Sequence, residues 1–155
     1  MTQPACRTLE IAIARATSRE DIAEAAEVYS KSRRAVFSWR SEADFEPARF
    51  IGDASTEEVT VARFGTRIVG VASVETAANF LHHLYVDPDA QGLGVGRALI
   101  AHVKARATGP LTLKLDCKNE KARGFYLANG WIALDGPGDR GGSDNGLAWQ
   151  RYRLD

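Results

Sequence analysis

The segment that most constrains the fold is residues 81–99, LHHLYVDPDAQGLGVGRAL, where a short apolar strand passes through a turn into three alternating glycines and a helix. Gly92, Gly94 and Gly96 lack a Cβ, so the backbone can adopt positive φ and bring its N–H groups close to an anion. The helix that follows leaves its first N–H groups unpaired and points the positive end of its dipole at the same place. The sequence therefore predicts a phosphate-binding loop at a strand-to-helix junction.

The spacing of these glycines argues against two common phosphate-binding loops. The dinucleotide fingerprint G-x-G-x-x-G would need its third glycine at Arg97 or at Leu99. The nucleoside-triphosphate loop ends in Gly-Lys-Ser or Gly-Lys-Thr, whereas Gly96 is followed by an arginine and an alanine. The pattern that remains is Q/R-x-x-G-x-G/A, which residues 91–96, QGLGVG, match directly after a strand and a turn.

A second segment, residues 115–131, LDCKNEKARGFYLANGW, contains a predicted helix at residues 119–129 that has a ligand-binding face. Asn119 and Tyr126 are seven positions apart, which is about two turns at ~3.6 residues per turn, so both side chains lie on one face of the helix. Ala122 lies between them and is small. This face can accept an extended ligand, with an amide at one end and a phenol at the other.

These two segments resemble motifs A and B of the GCN5-related N-acetyltransferases (GNAT). In that family the glycine loop holds the pyrophosphate of acetyl-coenzyme A, and the asparagine of motif B contacts the coenzyme. The tyrosine hydroxyl lies near the coenzyme sulfur, where it can protonate the departing thiolate, so the resemblance implies a catalytic role for Tyr126. The coenzyme-binding residues that the resemblance implies are Leu84, Tyr85, Val86, Gln91, Gly92, Leu93, Gly94, Val95, Gly96, Arg97, Asn119, Ala122, Phe125 and Tyr126.

The reaction that the resemblance implies is the direct attack of an amine on a thioester, without a covalent enzyme intermediate. A lysine-type amine has a pKa of ~10.4, so a base or water must first take up one of its protons. His82 and His83 are the candidate bases, because family members often place a glutamate base at the position that aligns with His82. A histidine, with a reference pKa of ~6.5, can also accept a proton near neutral pH. Whether His82, His83 or water is the acceptor stays open at this level.

The sequence predicts no metal site. Side chains alternate between the two faces of a strand, so the adjacent His82 and His83 should diverge. No acidic or histidine partner follows them at the spacing typical of metal ligands. Cys6 and Cys117 also lack such spacing and are expected to be free thiols in a reducing compartment.

The acceptor side is expected in the helical region around residues 29–40, which lines the substrate pocket in the family that the chain resembles. Tyr29, Arg33 and Trp39 are the candidate substrate-binding residues there. Arginine offers a bidentate fork for a carboxylate or another anion on the amine substrate. The glycine-rich connection 135–146 either covers the substrate or is a plain surface connection in a hairpin.

Hydrophobic patterning predicts the order strand, helices, three strands, helix, strand, helix, two strands. Ser18 is expected to cap the first helix, a Gly65-Thr66 turn to join two strands, and Gly130 to end the last helix. Together with the resemblance, this predicts an α/β fold in which residues 1–155 form a single N-acetyltransferase domain. The central sheet should be mixed but mostly antiparallel, with six to seven strands that splay at the coenzyme site and about four flanking helices.

Charge and hydropathy limit the classes of partner that we expect for the chain. The 155 residues include 20 basic and 20 acidic ones, so no general field steers the chain to nucleic acid or to an anionic membrane surface. No apolar run approaches the ~20 residues of a membrane span, and the N-terminus lacks the pattern of a signal peptide. We therefore expect a cytoplasmic protein with no nucleic-acid or membrane partner, either monomeric or homodimeric.

The function predicted from the sequence is acetyl-coenzyme A-dependent N-acetylation of a primary amine, with a small-molecule acceptor as the first choice. A protein N-terminus or lysine is the alternative acceptor within the same chemistry. A non-catalytic module that binds or senses acyl-coenzyme A is the alternative from another class. The proton donor suggested by Tyr126 argues against the sensing module, since ligand binding alone needs no such group.

Overall fold

The computed structural model describes residues 10–142 and 148–155, which form a central sheet between two layers of helices. The helices are α1 (Arg19–Val36), α2 (Pro47–Ala54), α3 (Val95–Arg106) and α4 (Glu120–Ala128). The strands are β1 (Ile11–Arg15), β2 (Glu58–Phe64), β3 (Arg67–Glu75), β4 (Phe80–Val86), β5 (Leu111–Asp116), β6 (Ile132–Ala133), β7 (Arg140–Gly142) and β8 (Ala148–Leu154).

The eight strands lie in the order β1-β2-β3-β4-β5-β8-β6, and β7 also pairs with β8. Every described pairing is antiparallel except that of β4 with β5. The prediction of a mixed, mostly antiparallel α/β fold with four helices is therefore confirmed.

One strand more than the predicted six to seven arises in the glycine-rich connection between β6 and β8, where β7 forms. A Cβ at Gly141 would lie 2.6 Å from Cζ2 of Trp149, so the indole packs on this strand at a position where only glycine fits. Asp144 and Gly146, which belong to the same predicted connection, lie outside the described residues, as does Cys6.

Local signals set the ends of several elements as predicted. Ser18 Oγ accepts a hydrogen bond from the Asp21 N–H at 3.1 Å, a cap that typically stabilises a helix by about 1 kcal/mol. Gly65 turns between β2 and β3 with a φ of 58°, and Gly130 follows α4 with a φ of 89°. These conformations are open to glycine and cost other residues free energy.

The sheet is covered on both faces, which is why β3 is buried from Ile68 to Val74. Val71 packs in a cluster with α1 and α2, whereas Ala72 packs in a cluster with α3 and α4. Gly70 lets α3 approach β3 closely, because a Cβ there would lie 2.6 Å from Cγ1 of Val95. The start of α3 is thereby fixed against the middle of the sheet.

Candidate active site

The predicted glycine loop lies between the end of β4 and the start of α3. Gly92 and Gly94 have φ of 77° and 83°, values that glycine adopts freely and other residues rarely do. A Cβ at either position would meet no other atom within 4 Å, so both glycines border open space. A Cβ at Gly96 would instead lie 3.2 Å from Cζ of Phe125. The first two glycines keep room for a ligand against the backbone, whereas Gly96 allows α3 and α4 to pack closely.

Asp87 anchors the turn that leads into this loop, a role that no sequence pattern indicated. Its Oδ1 accepts hydrogen bonds from the Asp89 N–H at 2.9 Å and from Lys31 Nζ at 3.1 Å, and its Oδ2 accepts one from Arg67 Nη2 at 2.9 Å. Burial would raise the pKa of the Asp87 carboxyl, but the Asp89 N–H and the two cations together hold that pKa below its usual range. One ionised carboxylate thus ties α1 and β3 to the entrance of the loop.

The sheet opens beside the loop, between β4 and β5. Among the described residues, these parallel strands are in register at one position, Phe80 opposite Thr112. The last three residues of β4, 84–86, pair with β3. The Asp87 N–H donates to Val69 O at 2.8 Å, and N–H groups alternate in direction along a strand. The N–H groups of Leu84 and Val86 therefore point into the gap, which is the splay implied by the family resemblance.

A cavity of about 480 Å³ occupies this gap. It brings together all the predicted coenzyme-binding residues except Leu93, a residue of the loop that is 52% exposed. The residues that sequence analysis missed are Ser32, Val36, Phe37, Ala90 and Lys121. Ser32 and Val36 are one helical turn apart on α1, so their spacing indicates that they share a face of the helix. The spacing does not indicate what that face contacts, so their place at the cavity could not be predicted.

Tyr126 lies on the cavity wall, and it is buried against Phe125 and Trp131, with ring centroids 5.4 Å apart in both pairs. Burial, with a smaller effect of Tyr85, raises the pKa of its hydroxyl above the usual range. Asn119 caps α4, because its Oδ1 accepts the Ala122 N–H at 3.2 Å. The Asn119 amide nitrogen is then the group of this side chain that can donate to a ligand.

A second cavity, of about 440 Å³, adjoins the first and shares Val36, Gln91, Asn119 and Lys121 with it. Lys121 Nζ donates to Gln91 Oε1 at 2.7 Å, so α4 and the glycine loop are joined across the boundary. Lys118 lines the second cavity as well. Lys118 and Lys121, with Glu120 between them in the lining, give this cavity a local excess of positive charge, although the whole chain has no formal net charge.

The predicted catalytic histidines, His82 and His83, lie outside the lining of the first cavity, whereas Tyr126 and Tyr85 belong to it. The ring of His83 is buried and lies 5.9 Å from that of Tyr85, centroid to centroid. Burial, and then the neighbouring His82, lower the pKa of His83 below its usual range. The hydrogen bond that the His82 ring donates to the Glu57 carboxylate raises the pKa of His82.

The two histidines do not diverge as strand alternation predicted. Their rings stack with centroids 4.0 Å apart and an angle of 24° between planes. The cause is an irregularity in the β3–β4 ladder, where Ser73 pairs with His83 but Val74 pairs with Leu81, so that His82 is an extra residue. A bulge of this kind leaves no signature in the sequence of the strand.

The three predicted acceptor residues are held by internal contacts. Arg33 Nη1 donates to the Tyr85 hydroxyl at 2.5 Å, and its guanidinium lies 5.1 Å from the ring centroid of Tyr29. Trp39 Nε1 donates to Asp116 Oδ2 at 3.1 Å. Arg33 therefore links α1 to β4, and Trp39 links the connection after α1 to the end of β5. Asp116 was not anticipated, since its partner lies far away in the sequence.

Comparison with known proteins is consistent with this geometry. Residues 15–155 match the family described as "Acetyltransferase (GNAT) domain". A curated relative, the peptidyl-lysine N-acetyltransferase YjaB of Escherichia coli, is 44% identical over 48 residues. That match spans 31% of this chain and 32% of the relative, so the chain matches about a third of the relative's length.

Solved structures show the same fold. The solution structure of apo-form YjaB from Escherichia coli superposes with a TM-score of 0.74 at 24% identity, covering 93% of this chain and 97% of that one. The PaiA N-acetyltransferase of Thermoplasma acidophilum, solved in complex with coenzyme A, gives a TM-score of 0.70 at 19% identity, with 92% of this chain and 98% of that one covered.

In the part of the chain that the structure describes, no helix is long and apolar enough to cross a membrane.

Proposed function

This chain belongs to the GNAT acetyltransferase family, and from that premise we propose that it transfers an acetyl group from acetyl-coenzyme A directly to a primary amine. The observation that carries the proposal is the convergence of three features on one cavity. These are the glycine backbone at Gly92 and Gly94, the start of α3 and the buried residue Tyr126. The thioester supplies an activated acyl group, and the protein supplies its binding, its orientation and a proton.

The residues present fit the coenzyme. The unpaired N–H groups at the start of α3 and the open space at Gly92 and Gly94 suit a pyrophosphate. The N–H groups of Leu84 and Val86 suit the amides of the pantetheine arm. Lys118 and Lys121 would meet the remaining phosphate charge at the second cavity. None of these contacts needs a net positive charge on the whole molecule.

Tyr126 is the proposed general acid. A general acid must keep its proton until the sulfur leaves, and burial favours the neutral phenol because a buried phenolate would be poorly solvated. The hydroxyl would then donate its proton to the departing thiolate as negative charge develops on the sulfur, and the resulting phenolate would recover a proton from water.

We propose that water, rather than a histidine, accepts the proton that the attacking amine loses. Neither His82 nor His83 lines the cavity, and the Tyr85 ring, which neighbours that of His83, does line it. Water was one of the three acceptors left open by the sequence, and it needs no histidine on the cavity wall.

Our first proposal for the acceptor is a small primary amine. The zero formal net charge offers no extended field for docking a charged protein surface, which supports a small acceptor. A lysine side chain of a protein is the second candidate, and the name of the partly matching relative YjaB favours it.

Thiol release from acetyl-coenzyme A, measured across a panel of amines, tests the proposal. The panel should contain small alkylamines, amino acids, polyamines and lysine-containing peptides, with mass spectrometry of the products. Amine-dependent release with an N-acetylated product would support the proposal. Tight coenzyme binding without release by any amine would contradict it and support the sensing module. Release with peptides alone would overturn the small-molecule acceptor but keep the chemistry.

A further inference from the structure

Four potential metal-binding side chains converge on one side of the sheet, outside the coenzyme cavity. Asp53 is in the last turn of α2, Glu57 directly precedes β2, and His82 and His83 are on β4. One ligand atom from each of Asp53, His82 and His83 lies within 4.8 Å of the other two. Asp53 Oδ2 is 2.8 Å from His83 Nε2 and 3.9 Å from His82 Nδ1, and Glu57 Oε1 contacts the same His82 nitrogen.

The bulge in β4 is what creates this cluster. In a regular strand His82 and His83 would lie on opposite faces, and no single ion could reach both. The extra residue at the bulge brings the two imidazoles into a stack on one side, facing the end of α2. Bulges commonly redirect a side chain in this way near functional sites.

We propose that Asp53, His82 and His83, with Glu57 as the fourth ligand, bind a divalent transition-metal ion, for which zinc is the best match. Two imidazole nitrogens and two carboxylate oxygens are ligands that zinc accepts in a tetrahedral site. With bonds of about 2.0–2.1 Å, ligand atoms in such a site are about 3.3 Å apart. For Asp53 and the two histidines, the separations of 2.8 Å and 3.9 Å from Asp53 Oδ2 lie on either side of that value, so small side-chain rotations suffice. Glu57 lies outside the group within 4.8 Å and must turn from His82 Nδ1 to complete the site.

The surroundings suit an ion that enters from solvent. The side chains of Asp53 and His82 are 38% and 39% exposed, whereas that of His83 is 7% exposed and forms the floor of the site. Ser73 Oγ donates to Glu57 Oε2 at 2.6 Å, which fixes the carboxylate, and Oε1, which contacts His82 Nδ1, would turn from that nitrogen to the ion. A bound ion would join α2, the start of β2 and β4.

The test uses untagged protein that has been freed of metal with a chelator. Zinc is titrated calorimetrically, and Co²⁺ is titrated separately while its visible absorption is recorded, since a tetrahedral site gives an intense spectrum. We expect one ion per chain and a rise in the melting temperature that follows the zinc concentration. His82→Gln and Asp53→Asn should each weaken zinc binding by about tenfold or more, because each removes one ligand.

His102 on α3 provides the matched control, since it is the one remaining histidine of the chain and does not belong to the cluster. His102→Gln and Cys117→Ser should bind zinc like the parent. Circular dichroism would verify that the variants fold. The proposal is overturned if the parent shows no saturable zinc binding, or if His82→Gln and Asp53→Asn bind as the parent does. A loss of binding in Cys117→Ser would also overturn it, because the ion would then lie at the thiol.

Discussion

Tyr126 and Asp87 are both buried, but one stays neutral and the other stays charged. Burial makes the Tyr126 hydroxyl harder to ionise, which keeps the phenol protonated. Asp87 is buried too, but its carboxylate remains charged because three donors surround it. The first residue serves the proposed chemistry, and the second holds the turn on which the glycine loop depends.

Tyr126→Phe removes the proposed acid while keeping the ring in its packing against Trp131. We expect kcat for acetyl transfer to fall by about 100-fold or more, because general acid catalysis typically contributes that much, with little change in coenzyme affinity. Steady-state kinetics and calorimetric binding would measure the two effects separately. Tyr152→Phe is the control, since Tyr152 is also buried but does not line the cavity. Equal rates for Tyr126→Phe and the parent would rule out the acid role.

Asp87→Asn keeps the shape of the side chain and removes its charge. We expect it to lower the free energy of unfolding by about 1–3 kcal/mol at neutral pH, because two cations lose their partner. The pKa of Asp87 lies below its reference value of 3.8, so the contribution is full above that value and is lost as the pH falls through the folded-state pKa. Urea unfolding of both proteins should therefore give curves that converge below pH 4.

Asp89→Asn is the matched control for that measurement. Asp89 contacts the same two cations, Lys31 at 3.0 Å and Arg67 at 4.0 Å, but its side chain is 71% exposed. An exposed pair of this kind contributes about 0–1 kcal/mol. A loss of stability in Asp89→Asn as large as in Asp87→Asn would show that burial and the backbone hydrogen bond are not what makes Asp87 important.

At the scale of elements, the strand–loop–helix unit of β4 and α3 forms the proposed coenzyme site. Its two positive-φ glycines are isolated from other side chains, and the close packing at Gly96 and Gly70 positions the helix against α4 and the sheet. Loop conformation and helix position are thus set by different glycines, so they can be tested separately.

Gly94→Val should raise the dissociation constant of acetyl-coenzyme A by well over tenfold, since a side chain would occupy the space next to the backbone N–H groups. Gly138→Val is a matched control for backbone strain. Gly138 has a φ of 82°, close to the 83° of Gly94, and a Cβ there would also meet nothing within 4 Å. Calorimetric titration would compare the two variants. An equal change in both dissociation constants would mean that strain rather than ligand approach is responsible.

At the scale of the whole molecule, the features that could be predicted from the sequence are those determined by residues close together in the chain. The glycine loop, the Ser18 cap and the Asn119–Tyr126 face all depend on residues within two helical turns of one another, so their spacing revealed them. Contacts between distant segments left no such spacing. The link between Trp39 and Asp116 joins positions 77 apart, and the bulge at His82 depends on how β3 pairs with β4.

The same limit applies to the cluster around the histidines. Asp53 and Glu57 precede His82 by 29 and 25 positions, and folding alone brings them together. The expectation that adjacent strand residues diverge is a sound rule for a regular strand. It was wrong here because one extra residue in the ladder changed the direction of a side chain.

The opening between β4 and β5 has a consequence for amide hydrogen exchange. With no strand beside them, the N–H groups of Leu84 and Val86 form an edge in the interior of the sheet, and they should exchange with solvent in the free protein. Saturation with coenzyme A should slow their exchange, whereas the Tyr85 amide, which faces β3, should be protected in both states. Exchange followed by NMR would reveal this, and unchanged rates at Leu84 and Val86 would contradict it. If exchange slows as expected, the bound coenzyme takes the place of a neighbouring strand along Leu84 and Val86, and its binding completes the hydrogen bonding of this part of the sheet.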